Sequence, residues 1–190
     1  NLALALYNRA VGHINAKAND QAKTDLMDSV KSSTKALEIY DASASKDPAK
    51  ANDPATKKGR ADYLRFKADA EWLLATRAGA PDQAAAAVAD YKTLVELIDD
   101  PAEKSKYRVK AARTLFDAGK TPEAIAAFQE VLATETDNLD ALYYVGLAYA
   151  GDEKTFQDSA NMLQRFVDKA PATDSRVAEA LASIQYLRDT

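Results

Sequence analysis

Residues 138–171 read NLDALYYVGLAYAGDEKTFQDSANMLQRFVDKAP, and this stretch decides the fold. Its first half places Leu142, Val145, Gly146 and Tyr149 at spacings of three, one and three. Its second half places Ser159, then Leu163 four positions on, then Pro171 eight further. Steps of three and four put side chains on one face of a helix. Gly151-Asp152 divides the halves and Pro171 ends the second, so the unit reads as two helices joined by a short turn. A small residue lets two helices approach closely, and a bulky one a turn later fills the space beside the contact.

The order small, bulky, break recurs upstream. The sets are Ala36, Tyr40, Pro48; then Ala87, Tyr91, Asp99; then Ala124, Phe128, Thr136. The bulky positions Tyr40, Tyr91, Phe128 and Leu163 lie 51, 37 and 35 residues apart. A repeat of that length is the mark of stacked helix hairpins. The competing reading is a plain helical bundle, whose core also carries Ala and aromatics at helical spacing.

Alanine, the best helix former, makes up about a fifth of the chain, and no alternating run of β-branched and aromatic residues marks a strand. Leu26, Val30, Ser33, Leu37, Tyr40 and Ala44 line one helix face. Breaks fall at Asn19-Asp20, Lys46 to Thr56, Gly79-Ala80-Pro81, Asp100-Pro101, Gly119 to Pro122, Asp137-Asn138, Gly151-Asp152 and Pro171 to Asp174. The 46–56 stretch, with two Asp-Pro pairs, reads as the longest loop. Thr121-Pro122 reads as an N-cap followed by Pro at the first helical position. The spacing predicts nine helices, over 1–18, 21–45, 57–78, 82–98, 102–118, 122–134, 138–150, 155–169 and 174–189. They group into pairs over 1–45, 57–99, 102–135 and 138–170, plus a cap at 174–189, in a single domain over 1–190.

Composition excludes most catalytic chemistry. The chain of 190 residues has no Cys and one His, so disulfides, thiolate metal sites and His-rich centres are absent. His13 has no readable Ser-Asp partner, there is no Gly-rich phosphate loop, and no EF-hand order of acids appears. No cofactor or metal is expected. Trp72 reads as an anchor between helices rather than a ligand platform. The net charge of −4 argues against a nucleic-acid partner. It is uneven: residues 57–113 carry +3 and residues 121–190 carry −7. No stretch is long and apolar enough for a membrane helix. Asn1-Leu-Ala-Leu-Ala-Leu is too short and lacks the basic region of a signal peptide. The chain opens on Asn1 rather than Met, and a processed form is the expectation.

Residues 104–171 resemble the tetratricopeptide repeat, a helix-turn-helix unit of about 34 residues. In 104–137 the matching slots hold Ala111, Ala112, Leu115, Gly119, Ala124 and Phe128, with Arg108 in place of the usual first aromatic. The pair 57–99 matches through Phe66, Ala70 and Leu73, and 1–56 departs through an oversized second helix and a long exit loop. The resemblance implies an all-α fold, a right-handed helical-repeat solenoid of antiparallel pairs closed by a solvating C-terminal cap. It also implies a non-catalytic protein–protein interaction scaffold whose concave groove, built by the first helix of each pair, takes a peptide or helix of a partner. Bacterial envelope-associated repeat proteins are among those it resembles, and both cytoplasm and envelope fit a chain without Cys.

On the helix 102–118, Lys106, Lys110 and Arg113 recur at i, i+4 and i+7 and share a face. In the resembled family the slots of Lys106 and Lys110 often hold basic residues that clamp a carboxylate. Tyr143, Leu147 and Tyr144 are expected to add an aromatic wall from the next first helix, with Lys67 extending the strip. The expected partner is a protein or peptide that is acidic or ends in a free carboxylate. The competing reading of these residues is a solvated charged face with Tyr packed between helices. The alternative for the whole chain is a structural or self-assembling helical module, packing on other domains or on copies of itself through exposed end helices.

Overall fold

The computed structural model describes residues 1–189, without the side chains of Pro48 and Ala51, and no strand occurs among the described residues. The helices are α1 (Leu2–Asn15), α2 (Asn19–Lys46), α3 (Pro48–Ala51), α4 (Pro54–Arg77), α5 (Ala84–Leu97), α6 (Pro101–Asp117), α7 (Thr121–Thr134), α8 (Leu139–Tyr149), α9 (Phe156–Lys169) and α10 (Arg176–Asp189). All but the one-turn α3 answer to helices read from the sequence, and the fold is an all-α helical repeat. Two compact units form, Asn1–Thr114 and Leu115–Thr190, divided within α6.

The ends of the helices follow local chemistry. The stretch 46–56 is not a long loop. Asp47 accepts a hydrogen bond from the Ala49 N–H at 3.1 Å, and Asp53 accepts one from the Thr56 N–H at 2.9 Å. Each Asp-Pro pair is thus a capping acid followed by Pro in the first helical turn, which starts α3 and α4 early. Single turns of 3₁₀ helix at Pro81–Gln83 and Glu153–Thr155 delay α5 and α9. The first break lies at residues 16–18, with Lys17 at a φ of 58°, rather than at Asn19-Asp20. Lys120, not Thr121, occupies the N-cap of α7. Gly79 and Gly119 take φ values of 68° and 74°, the left-handed conformation that ends a helix at least cost on Gly.

In the first unit α1 packs on α2, α2 on α4 and α4 on α5, and α1 also touches α4. Its centre is small and aliphatic, with Ala10, Leu26, Ala70, Leu73, Leu74 and Ala78 buried together. Phe66, Ala87 and Tyr91 are buried as well. The Ser29 hydroxyl donates to the Ala3 carbonyl at 2.9 Å, so α1 and α2 lie nearly backbone to backbone there.

In the second unit α7 packs on α8, α8 on α9 and α9 on α10. The decisive contact is the one between Gly146 and Leu163. A Cβ at Gly146 would stand 2.7 Å from Leu163 Cγ and 3.3 Å from its backbone nitrogen. Ser159 uses this closeness to donate from its hydroxyl to the Gly146 carbonyl at 2.7 Å. Phe128 stacks on Tyr144 at 5.9 Å and Tyr143 meets Phe166 at 5.2 Å, filling the space on either side of α8.

One substitution therefore takes opposite signs at two sites. Gly12 lies within α1 with nothing within 4 Å of an added Cβ. Gly12→Ala is expected to stabilise by about 0.5–1 kcal/mol through helix propensity alone. Gly146→Ala gains the same propensity but overpacks against the fully buried Leu163, at a cost of about 1–3 kcal/mol. It is expected to lower the urea midpoint of helix loss measured by circular dichroism, whereas Gly12→Ala raises it.

Candidate functional site

Helix α6 begins where Asp100 accepts hydrogen bonds from the N–H groups of Ala102 and Glu103, at 2.8 and 3.3 Å. Tyr107, Ala111, Ala112 and Thr114 are buried, which turns Lys106, Lys110 and Arg113 away from the core centre. The three basic residues have different surroundings. Lys106 is 53 % exposed and has a single long contact, 3.4 Å, with Glu103 of its own helix. Its ammonium also lies 5.4 Å from the centre of the Tyr107 ring. Lys110 is bound to Asp69 of α4 at 2.6 Å and stands 5.6 Å from both the Tyr91 and Tyr107 rings. The Arg113 guanidinium lies over Trp72 of α4, 5.3 Å from the ring centre.

Beneath this face lies a polar network that the sequence does not reveal. Tyr91 and Tyr107 stack at 6.1 Å, and the Tyr91 hydroxyl donates to Asp69 at 2.5 Å. Burial, reinforced by the Asp69 charge, raises the Tyr91 pKa, so the hydroxyl keeps its proton. Burial also pushes Tyr107 up to about 12, against the lowering influence of Arg65. Lys67, expected to extend the basic strip, is instead held between Glu71, at 2.8 Å, and Asp90 of α5. Burial acts to lower the Lys67 pKa, but its hydrogen bonds to Asp90 and Glu71 outweigh it and raise the value.

A cavity of about 420 Å³ opens between the first half of α4 and the α5–α6 turn. Leu97 and Ile98 form its apolar part, Lys57 and Arg65 stand on one wall, and Glu103 and Tyr107 connect it to the start of α6.

The remaining expected site residues lie in the second unit, Tyr143 buried and Tyr144 and Leu147 half-buried. Tyr143 is 4 % exposed and belongs to the core of that unit, against which Leu147 also packs. Tyr143 meets Tyr144 edge-on at 5.3 Å, and the Arg176 guanidinium lies 5.2 Å from its ring centre. The aromatic wall expected of Tyr143 and Tyr144 is thus interior packing, because α8 has neighbours in α7 and α9 on both sides. His13 stands 3.5 Å from Asp25, whose pKa is lowered chiefly by its hydrogen bond from Arg9. Among the described residues no group of three or more His, Asp or Glu is arranged to hold a metal ion, and no helix is long and apolar enough to cross a membrane.

Residues 140–173 match the family model of the tetratricopeptide repeat. Similar solved structures include YrrB, described as a TPR protein with an unusual peptide-binding site, which is 19 % identical. That match covers 96 % of this chain and 92 % of that one, with a TM-score of 0.46. PilW, described as a widely conserved type IV pilus biogenesis factor, is 15 % identical over 100 % of this chain and 90 % of its own, with a TM-score of 0.46. The MamA RS-1 ArsTM double mutant is 16 % identical over 100 % and 96 %, with a TM-score of 0.43. No curated protein sequence matches the chain.

The inner wall of the site holds a buried acid whose titration is linked to folding. Glu71 is 2 % exposed, and its Oε2 is buried with no hydrogen-bond partner among the described residues. Burial pushes its pKa up to about 7 from 4.5; the Lys67 hydrogen bond opposes this and the Asp90 charge adds to it. The folded state therefore holds this proton more tightly than the unfolded chain does. Its contribution to stability is full below about pH 4.5 and is lost as pH rises through 7. Between pH 5 and 8, urea unfolding of the native chain is expected to show a loss of about 1–3 kcal/mol from this group, a slope that Glu71→Gln removes.

Proposed function

We propose that this chain, which carries a tetratricopeptide repeat at residues 140–173, is a non-catalytic protein-interaction scaffold that holds an acidic peptide segment against the basic face of α6. The observation that carries this reading is the contrast between Lys106 and Lys110. Lys110 already grips a carboxylate over two stacked tyrosines, so the face has the chemistry to hold one. Lys106, one turn earlier, has the same ring beside it and only a long contact to Glu103. An incoming carboxylate meets little competition at Lys106, whereas at Lys110 it must displace Asp69.

The cavity beside Glu103 and Tyr107 gives such a segment a second foothold. Its apolar part suits a hydrophobic side chain, and Lys57 and Arg65 suit a further acidic group. At the other end of the face Arg113 lies half-buried over Trp72. Lys67 is spent on Glu71 and Asp90 and serves to position the wall. Tyr143 and Leu147 support α8 from within the second unit and lie outside the proposed surface.

The test is fluorescence anisotropy with labelled acidic peptides, each with a free and an amidated C-terminus. Binding is expected to weaken about tenfold or more in Lys106→Glu/Lys110→Glu/Arg113→Glu, and severalfold in Lys106→Glu alone, which leaves the Asp69 pair intact. It is also expected to weaken with added salt. A preference for the free C-terminus identifies a terminal carboxylate as the ligand; equal binding identifies internal acids. Affinity unchanged by the triple substitution, with helix content retained, sinks the proposal.

A further inference from the structure

Two lysine sets tie α4 to a neighbouring helix, and they differ in what is left behind when the ammonium lets go. Lys67 holds two carboxylates, Glu71 and Asp90, and its side chain is 18 % exposed. Glu71 is buried, so withdrawing Lys67 would strand two acids beside each other in the interior. Lys110 holds one carboxylate, and its side chain is 35 % exposed, so an acid arriving from solvent can reach it. Asp69 is not stranded when Lys110 turns away. Its Oδ1 accepts from Lys110 at 2.6 Å and from the Tyr91 hydroxyl at 2.5 Å, and the second of these bonds does not depend on the first. The Tyr91 and Tyr107 rings, each 5.6 Å from the ammonium, hold Lys110 in place whichever acid it binds.

We infer that Asp69 is a resident carboxylate that stands in for the ligand on Lys110, so that its charge sets the affinity of the α6 face for acids. The inference rests on the peptide-binding reading and deepens it. In the ligand-free chain the Lys110–Asp69 pair braces α6 against α4. A ligand carboxylate that reaches Lys110 either replaces Asp69 or shares the ammonium with it, and sharing sets two like charges side by side. Either way Asp69 opposes the newcomer. Lys106 carries no such competitor from another helix, only the long contact to Glu103. The two ammonium groups arise one turn apart, about 6 Å along the axis. A segment with a single acid therefore gains Lys106 alone, and a segment dense in acids gains Lys110 as well, after overcoming Asp69. The resident acid acts as a threshold that separates strongly from weakly acidic partners.

The test is fluorescence anisotropy on the full chain with labelled oligoglutamate, against an amidated oligoglutamine control that carries no carboxylate. Asp69→Asn removes the charge and keeps an oxygen for the Tyr91 hydroxyl. It is expected to bind oligoglutamate about three- to tenfold more tightly than the wild type, with helix content retained by circular dichroism and the control still unbound. The same substitution on a Lys110→Gln background should change affinity by less than about twofold. A second measurement uses the native chain and stands even where Asp69→Asn does not fold. The carbon-13 resonance of the Asp69 side-chain carboxyl should move at saturation with oligoglutamate, while that of Asp90 stays in place. Wild-type binding that Lys106→Glu weakens but Asp69→Asn does not strengthen overturns this inference and leaves the peptide-binding reading standing. So does a gain of equal size on the Lys110→Gln background, or an Asp69 resonance unmoved at saturation. Oligoglutamate that binds neither the wild type nor Asp69→Asn overturns both.

Discussion

The structure depends on how closely two helices can approach, and small residues set that distance. At the α8–α9 contact Gly146 leaves room for the backbone of Leu163, and Ser159 closes the gap with a hydrogen bond to the Gly146 carbonyl. The first unit repeats the device with other residues, Ser29 donating to the Ala3 carbonyl across α1 and α2. A helical carbonyl already accepts its own i+4 hydrogen bond but keeps a second lone pair, so the serine is satisfied at no cost to the helix. A buried hydroxyl without such a partner would be a penalty. Bulky side chains then fill the space beside each close approach, as Phe128, Leu163 and Phe166 do in the second unit.

Close packing also constrains charge. In the first unit the ionic groups between helices come in sets: Arg9 with Asp25, Lys67 with Glu71 and Asp90, Lys110 with Asp69 and the Tyr91 hydroxyl. A buried pair contributes little net stability, because desolvation offsets the attraction, but losing one member leaves the other stranded. These sets fix which cations face inward. They leave Lys106 as the most available charge of the α6 row and make Lys110 and Lys67 part of the scaffold that presents it.

The legibility of this chain divides along the same line. Helical spacing is local, so Ala124 with Phe128, Ser159 with Leu163 and Phe66 with Ala70 could be read as contact positions, and all are buried. The two Asp-Pro pairs were ambiguous for a physical reason: the residues that break one helix are the ones that cap the next. The charge network was out of reach because its partners are far apart in sequence, 23 residues from Lys67 to Asp90 and 41 from Lys110 to Asp69. Tyr143 was misassigned to a surface because α8, LDALYYVGLAY, is apolar almost all round and offers no periodicity by which to choose an outward face.

A helix held on two sides needs apolar residues on two faces, as α8 has between α7 and α9. Within its unit α10 packs chiefly on α9, with Arg176 reaching Asp140 and Tyr143 of α8, and Ala180, Ile184 and Leu187 supply its apolar stripe. Its outward side mixes Glu179, Arg188 and Asp189, the charge a solvating cap calls for, with an apolar excess of Ala178, Leu181 and Ala182. On α2 the outward Met27 and Ile39 are a similar excess. In the peptide-binding reading, carboxylate recognition would draw on a row of cations that the interior network holds in place.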